Sequence, residues 1–149
     1  MNSLLIVDMQ DEFPSSKKHQ TICECIKLIC RAKLNLEPII VLEYVNFGNT
    51  LTRLSRMLSR YDRRYLVKKN DNDGSDEIHD FVVKTKLGIT DFTICGVNLD
   101  ACVQETATGL AEIGYNVKVV KKACNTDGPR CFSESGWRNY PKMANLKVT

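Results

Sequence analysis

The sequence predicts a three-layer α/β/α protein: one mostly parallel sheet of five to six strands with helices on both faces. Three observations lead there. Short apolar runs alternate with stretches whose apolar residues recur every three or four positions. The connections are short and carry glycine, proline or capping side chains. The 149 residues, 43% hydrophobic and 26% charged, fit one globular domain over 1–149. That length buries roughly 68–70% of the unfolded surface without help from disulfides or metal.

The elements follow in order. Leu4-Leu5-Ile6-Val7 is an unbroken apolar run, which suits a strand covered on both faces. From about 16 to 35 the period is helical, with Ile22, Cys25, Ile26, Ile29, Cys30 and Lys33 spaced by three or four. Pro38 interrupts it, and residues 39–45 read as a second strand. Asn49 or Thr50 can cap a helix through Leu51, Leu54, Met57 and Leu58. Residues 65–67 form a third strand. Asp73-Gly74-Ser75 opens a helix with Ile78, Phe81, Val82 and Leu87 on its inner face, and Gly88 closes it. Residues 92–95 form a fourth strand, 101–113 a helix stopped by Gly114, and 117–120 a fifth strand. The tail from Pro129 holds one helix, and 146–148 suits an edge strand.

Strand–helix alternation with short crossovers makes a parallel, Rossmann-like sheet. Such sheets bind ligands beyond the carboxyl ends of their strands. Four segments reach that rim: Asp8, Tyr44 to Phe47, Lys68 to Asp73, and Gly96 to Cys102.

Composition narrows the function. A net charge of +3, from 21 basic and 18 acidic residues, is too balanced to indicate nucleic acid. No apolar run approaches the ~20 residues of a membrane span. The first residues lack a basic region and carry too short an apolar run for a secretory signal. Seven cysteines, an odd number, argue against a disulfide framework and for reduced thiols in the cytoplasm. No phosphate-binding glycine fingerprint is present, so no nucleotide cofactor is expected. His19 and His79 are the only histidines. Cys25 and Cys30 fit the apolar face of a helix from which Cys23 projects elsewhere. No metal site is expected.

Three kinds of side chain on the rim can do chemistry. Cys102 stands where a buried strand ends, a loop turns and a helix begins. Helix N-terminal amides favour thiolate and can hold a developing oxyanion. Asp8, at the exit of the first strand, is placed to act as a general base, or else to close an Asx-turn. Lys68 and Lys69 end the third strand. Because successive strand side chains point to opposite faces, one of the two faces the site.

Three motifs together resemble the isochorismatase-like cysteine hydrolase superfamily. Residues 4–13, LLIVDMQDEF, look like its first strand with the catalytic aspartate and following aromatic. Residues 67–75, VKKNDNDGS, look like its lysine segment, and the turn spacing selects Lys69. Residues 96–103, GVNLDACV, followed by Glu105-Thr106-Ala107, look like its cysteine motif. The resemblance implies a triad of Asp8, Lys69 and Cys102. It also implies a cis peptide at Val97–Asn98 and an oxyanion hole from the backbone amides of Asn98 and Cys102. The implied reaction is cleavage of a C–N, amide-type bond of a small molecule through an acyl-thioenzyme. Leu99 stands where the family commonly has threonine. The nicotinamidase metal motif has no counterpart near 44–50, which again implies no metal. Phe13, Tyr44, Asn46 and Phe47 flank the rim as candidate pocket residues. A small-molecule substrate and a homo-oligomer are expected, with no nucleic acid and no membrane partner. A binding module on the same fold, or an isochorismate-type hydrolase, is the alternative.

Overall fold

A computed structural model describes residues 1–128 and 134–149. Pro129, where the predicted tail helix begins, and Cys131 lie outside the described residues. The elements are β1 (Asn2–Val7), α1 (His19–Leu34), β2 (Ile39–Tyr44), α2 (Thr52–Leu58), β3 (Arg64–Lys69), α3 (Ser75–Thr85), β4 (Asp91–Val97), α4 (Cys102–Ile113), β5 (Asn116–Asn125) and β6 (Leu146–Val148). Short 3₁₀ turns cover Pro14–Lys17 and Glu134–Trp137. The six strands form one sheet in the order β3-β2-β1-β4-β5-β6, and every neighbouring pair is parallel. No helix among the described residues is long and apolar enough to cross a membrane.

Strand alternation divides the core in two. Leu5, Val7, Ile40, Leu42 and Ile94 point to one face, where Ile78 of α3 and Val103 and Leu110 of α4 meet them. Leu4, Ile6, Ile39, Val41 and Cys95 point to the other, against Ile22, Cys25 and Ile29 of α1 and Leu54 of α2. β1 and β4 lie at the centre and are buried almost throughout. β3 lies at the edge, and its residues alternate between exposed and half-buried until Lys69. Central strands therefore read as continuous apolar runs and the edge strand does not.

Four local expectations are corrected. The buried stripe of α1 is Thr21, Ile22, Cys25, Leu28, Ile29 and Ala32. Cys30 is exposed, because the stripe drifts toward Leu28. Thr50 does not cap α2; its hydroxyl donates to Glu43 Oε2 at 2.7 Å. Asp73 does hold the start of α3, accepting the Ser75 amide at 2.8 Å, but Lys86 ends that helix in a left-handed conformation (φ 52°), two residues before Gly88. In the described part of the tail the ordered elements are a 3₁₀ turn and β6, which pairs with β5 at the sheet edge as expected.

One glycine is required by backbone approach. A Cβ on Gly96 would lie 2.0 Å from the Val7 carbonyl oxygen, and its φ is +124°. Only glycine lets β4 pass this close to the end of β1. That crossing brings the Cys95–Cys102 loop beside Asp8.

Candidate active site

Asp8 is the first residue after β1. Its φ of +50° turns the chain out of the sheet, a conformation aspartate tolerates better than most residues. Its side chain is fully buried, as is that of Lys69 at the end of β3. The Lys69 ammonium lies 3.0 Å from Asp8 Oδ2. It also donates to the carbonyls of Asp71 and Asn72 at 3.0 and 2.8 Å, and sits 4.5 Å from the centre of the Tyr44 ring. These contacts compensate a charge that could not otherwise leave water. Gly74 makes room for the lysine stem, since a Cβ there would lie 2.9 Å from Lys69 Cδ. Lys68, one residue earlier, points to the opposite face and is exposed.

Cys102 is the first residue of α4 and is buried. Its sulfur lies 3.7 Å from Asn72 Oδ1, so the turn that receives Lys69 also touches the thiol. Among the described residues neither oxygen of Asp8 completes an aligned hydrogen bond; the ion pair with Lys69 holds it. Burial pushes the Asp8 carboxyl above the ordinary value of 3.8, and the Lys69 charge opposes that only in part. Burial also pushes the Cys102 thiol up to about 12, with the Asp8 charge adding to the rise and Lys69 opposing it. This runs against the expectation that the helix N-terminus lowers the thiol's value and favours thiolate. Desolvation and a neighbouring anion outweigh the helix dipole.

The Val97–Asn98 peptide is cis. The amides of Asn98 and Cys102 have no backbone partner among the described residues, while the Asn98 carbonyl accepts from Ala101 and Val103. Around Asn98 a polar clamp forms. Ser15 Oγ donates to Asn98 Oδ1 at 2.6 Å, and Asp127 Oδ1 accepts the Ser15 amide at 2.7 Å.

The four rim residues separate into two sets. Phe13 stacks on Phe47 with centroids 4.8 Å apart, and Phe47 meets Tyr44 edge-on at 4.8 Å. These three rings form a continuous wall leading to Lys69. Asn46 is exposed at the bend of the loop, with φ +70°. Gln10 fastens that loop: its side chain donates to the carbonyls of Tyr44 and Gly48 at 2.9 and 2.8 Å and accepts the Tyr44 amide at 2.7 Å. Sequence reasoning missed Asn72, Gln10, Ser15 and Asp127. Their partners are distant in the chain or backbone groups, and no local spacing marks them.

Among the described residues no three of His, Cys, Asp and Glu converge as metal ligands would. His19 lies at the start of α1 with its ring nitrogens 3.4 Å from Cys23 Sγ and Arg53, and His79 Nδ1 lies 2.9 Å from the Tyr115 hydroxyl.

An α/β sheet with a buried Asp–Lys pair beside a cysteine at a helix start defines the class. The chain belongs to the isochorismatase domain family, whose model matches residues 2–145. No curated protein matches it. Among solved structures it is similar to the nicotinamidase from Staphylococcus aureus at 16% identity, covering 99% of this chain and 98% of that one, with a TM-score of 0.80. It is similar to the MAR1 ribonuclease from Caenorhabditis elegans at 22% identity, covering 97% and 76%, with a TM-score of 0.77. An isochorismatase from Pseudomonas putida matches at 18% identity over 99% and 87%, with a TM-score of 0.78. At these identities the likeness establishes the fold.

Proposed function

We propose that this chain is a cysteine hydrolase that cleaves a C–N, amide-type bond of a small molecule through Asp8, Lys69 and Cys102. The observation that carries the reading is the buried Asp8–Lys69 ion pair, 3.0 Å long, beside a buried thiol. A binding module gains nothing from burying two opposite charges around a cysteine, because such a pair contributes little net stability.

The chemistry follows from the ionisation state. At neutral pH the thiol of Cys102 holds its proton. Asp8 takes that proton as sulfur attacks the carbonyl carbon, and Lys69 keeps the ionised forms from separating. The developing oxyanion meets the amides of Asn98 and Cys102. Protonated Asp8 then gives its proton to the departing amine as the C–N bond breaks. Asp8 then deprotonates a water molecule that attacks the thioester; as the C–S bond breaks, Asp8 returns that proton to sulfur, which restores the Cys102 thiol and the Asp8 carboxylate and releases the carboxylic acid product. The Phe13–Phe47–Tyr44 wall favours a flat, small substrate. No step calls for a metal, since the pair already supplies a base and a cation.

The test is a panel of small aromatic amides and ureides scored by ammonia release. Mass spectrometry of rapidly quenched enzyme should find an acyl adduct on Cys102. Turnover without a Cys102 adduct, and undiminished in Cys102→Ala, would overturn the covalent route.

A further inference from the structure

Charge in this chain is unevenly placed. Residues 52–69 hold seven of the 21 basic residues and one of the 18 acidic ones, so the remainder is net acidic. Lys69 is spent in the interior. Arg53, Arg56 and Arg60 are exposed and share one outer face of α2 and the turn after it, at spacings of three and four. On β3, exposed Arg64, Leu66 and Lys68 alternate onto the face opposite to that of Lys69. Among the described residues none of Arg53, Arg56, Arg60, Arg64 and Lys68 pairs with a carboxylate.

Beside this face, between α2 and β3, lies a cavity of about 530 Å³. Val41, Leu58, Tyr65 and Leu66 give it apolar walls, and Arg64 stands among its lining residues. Glu43, 9% exposed, also lines it. Glu43 Oε2 is committed to the amide and hydroxyl of Thr50 at 2.9 and 2.7 Å. Its second oxygen has no hydrogen-bond partner among the described residues. That oxygen offers an acceptor to the cavity, which favours an occupant that presents N–H or O–H groups.

We propose that the α2–β3 face binds single-stranded nucleic acid, with phosphates on the arginines and a base in the Glu43 cavity. The features select this occupant over other polyanions. Arginine outnumbers lysine four to one, and its planar fork suits phosphate and stacks on bases. An acidic peptide would bring carboxylates against Glu43 and Asp62, both of which line the cavity. A base brings a flat apolar body with N–H donors instead. A membrane surface would leave the recess unfilled. The proposal reverses the expectation drawn from overall charge, which averages a basic face against an acidic remainder.

Fluorescence polarisation of the full chain with labelled single-stranded RNA and DNA of one mixed sequence tests it. Inorganic polyphosphate, polyglutamate and phosphatidylserine vesicles serve as competitors. Affinity should fall with salt with a log–log slope of about −3.5, from five cations at about 0.7 each. Arg56→Glu with Arg60→Glu should flatten that slope by about 1.4 and weaken binding at least about tenfold at low salt, with the melting curve unchanged. Ser55→Trp, which places a bulky side chain in the cavity beside Glu43, should erase the preference for nucleic acid over polyphosphate. The RNA and DNA arms identify which strand is preferred. Absence of binding, binding indifferent to the double reversal, or equal competition by polyglutamate, polyphosphate or vesicles would overturn the proposal. A preference for nucleic acid that survives in Ser55→Trp would overturn the seating of a base beside Glu43.

Discussion

Lys68 and Lys69 are neighbours on one strand and belong to two different regions. Lys69 is fully buried, 3.0 Å from Asp8, and is held by two carbonyls and the Tyr44 ring. Lys68 is exposed on the outer α2–β3 face without a carboxylate partner among the described residues. In the interior, low dielectric makes each charge costly and strongly coupled to its neighbours, so ionisation there can drive chemistry. On the outer face water screens each charge, and cations matter only in number, for what they attract. Strand alternation alone sends adjacent lysines to these two fates.

The widest separation between the regions is expected in turnover. Cys102→Ala should lower activity on any amide the native chain hydrolyses by more than about 10³-fold, because nucleophile and base act as a unit. Arg56→Glu and Arg60→Glu should leave that activity within about twofold, in line with the small effects of surface substitutions. An effect of the surface pair comparable to that of Cys102→Ala would break the comparison.

The two lysines themselves sharpen it further. Lys69→Ala leaves Asp8 as an uncompensated buried charge, which should cost about 3–5 kcal/mol of stability as well as activity. Lys68→Ala should change stability by less than about 0.5 kcal/mol. Urea unfolding monitored by circular dichroism measures both. The reverse ranking would mean that β3 is out of register by one residue.

How much of this was legible in the sequence depends on burial. β1 and β4 stand out as apolar runs because both their faces are covered. β3 read as three residues, and it spans Arg64–Lys69, because an edge strand needs no apolar residue on its open side. The stop of α3 was misplaced because Lys86 takes the left-handed cap expected of Gly88. Positions of the chemical residues were visible at strand ends, where the parallel sheet gathers them. Their acidity was not. The thiol's environment is set by Asp8, 94 residues away in the chain, and by burial that no local pattern encodes. Asn72 meets the thiol through a tertiary contact of the same kind.

A smaller effect is expected on the pH axis. Asp8 must be ionised to accept the thiol proton, so kcat/KM should rise with pH through a value above 3.8 and then level off. Alkylation of Cys102 by iodoacetamide should be slow at neutral pH and accelerate toward about 12. Exposed Cys30 is open to the reagent, so the Cys102 adduct must be assigned by peptide mapping. Stability has its own sign. The folded chain holds the Asp8 proton more tightly than the unfolded chain. That contribution is therefore full below the ordinary carboxylate value and is lost as pH rises through the raised one. Asp8→Asn should remove this part of the stability–pH curve. Rapid selective alkylation of Cys102 at neutral pH would show that the interior stabilises a thiolate after all.

The smallest expected effect is that of chelation. A catalytic zinc site keeps three protein ligands and one open position. The two histidines that could serve are both engaged away from Asp8. His19 lies between Cys23 and Arg53 at the start of α1, and His79 contacts the Tyr115 hydroxyl from α3. In the interior, Lys69 already places a cation 3.0 Å from Asp8 Oδ2, and a second cation close to it would be repelled strongly at low dielectric. EDTA should therefore leave ammonia release and the melting temperature unchanged, and elemental analysis of the purified chain should find no stoichiometric zinc, iron or manganese. A near-equimolar metal whose removal abolishes turnover would mean that the interior pair does not supply the whole of the site's charge, and that the contrast between Lys69 and Lys68 lies in burial alone.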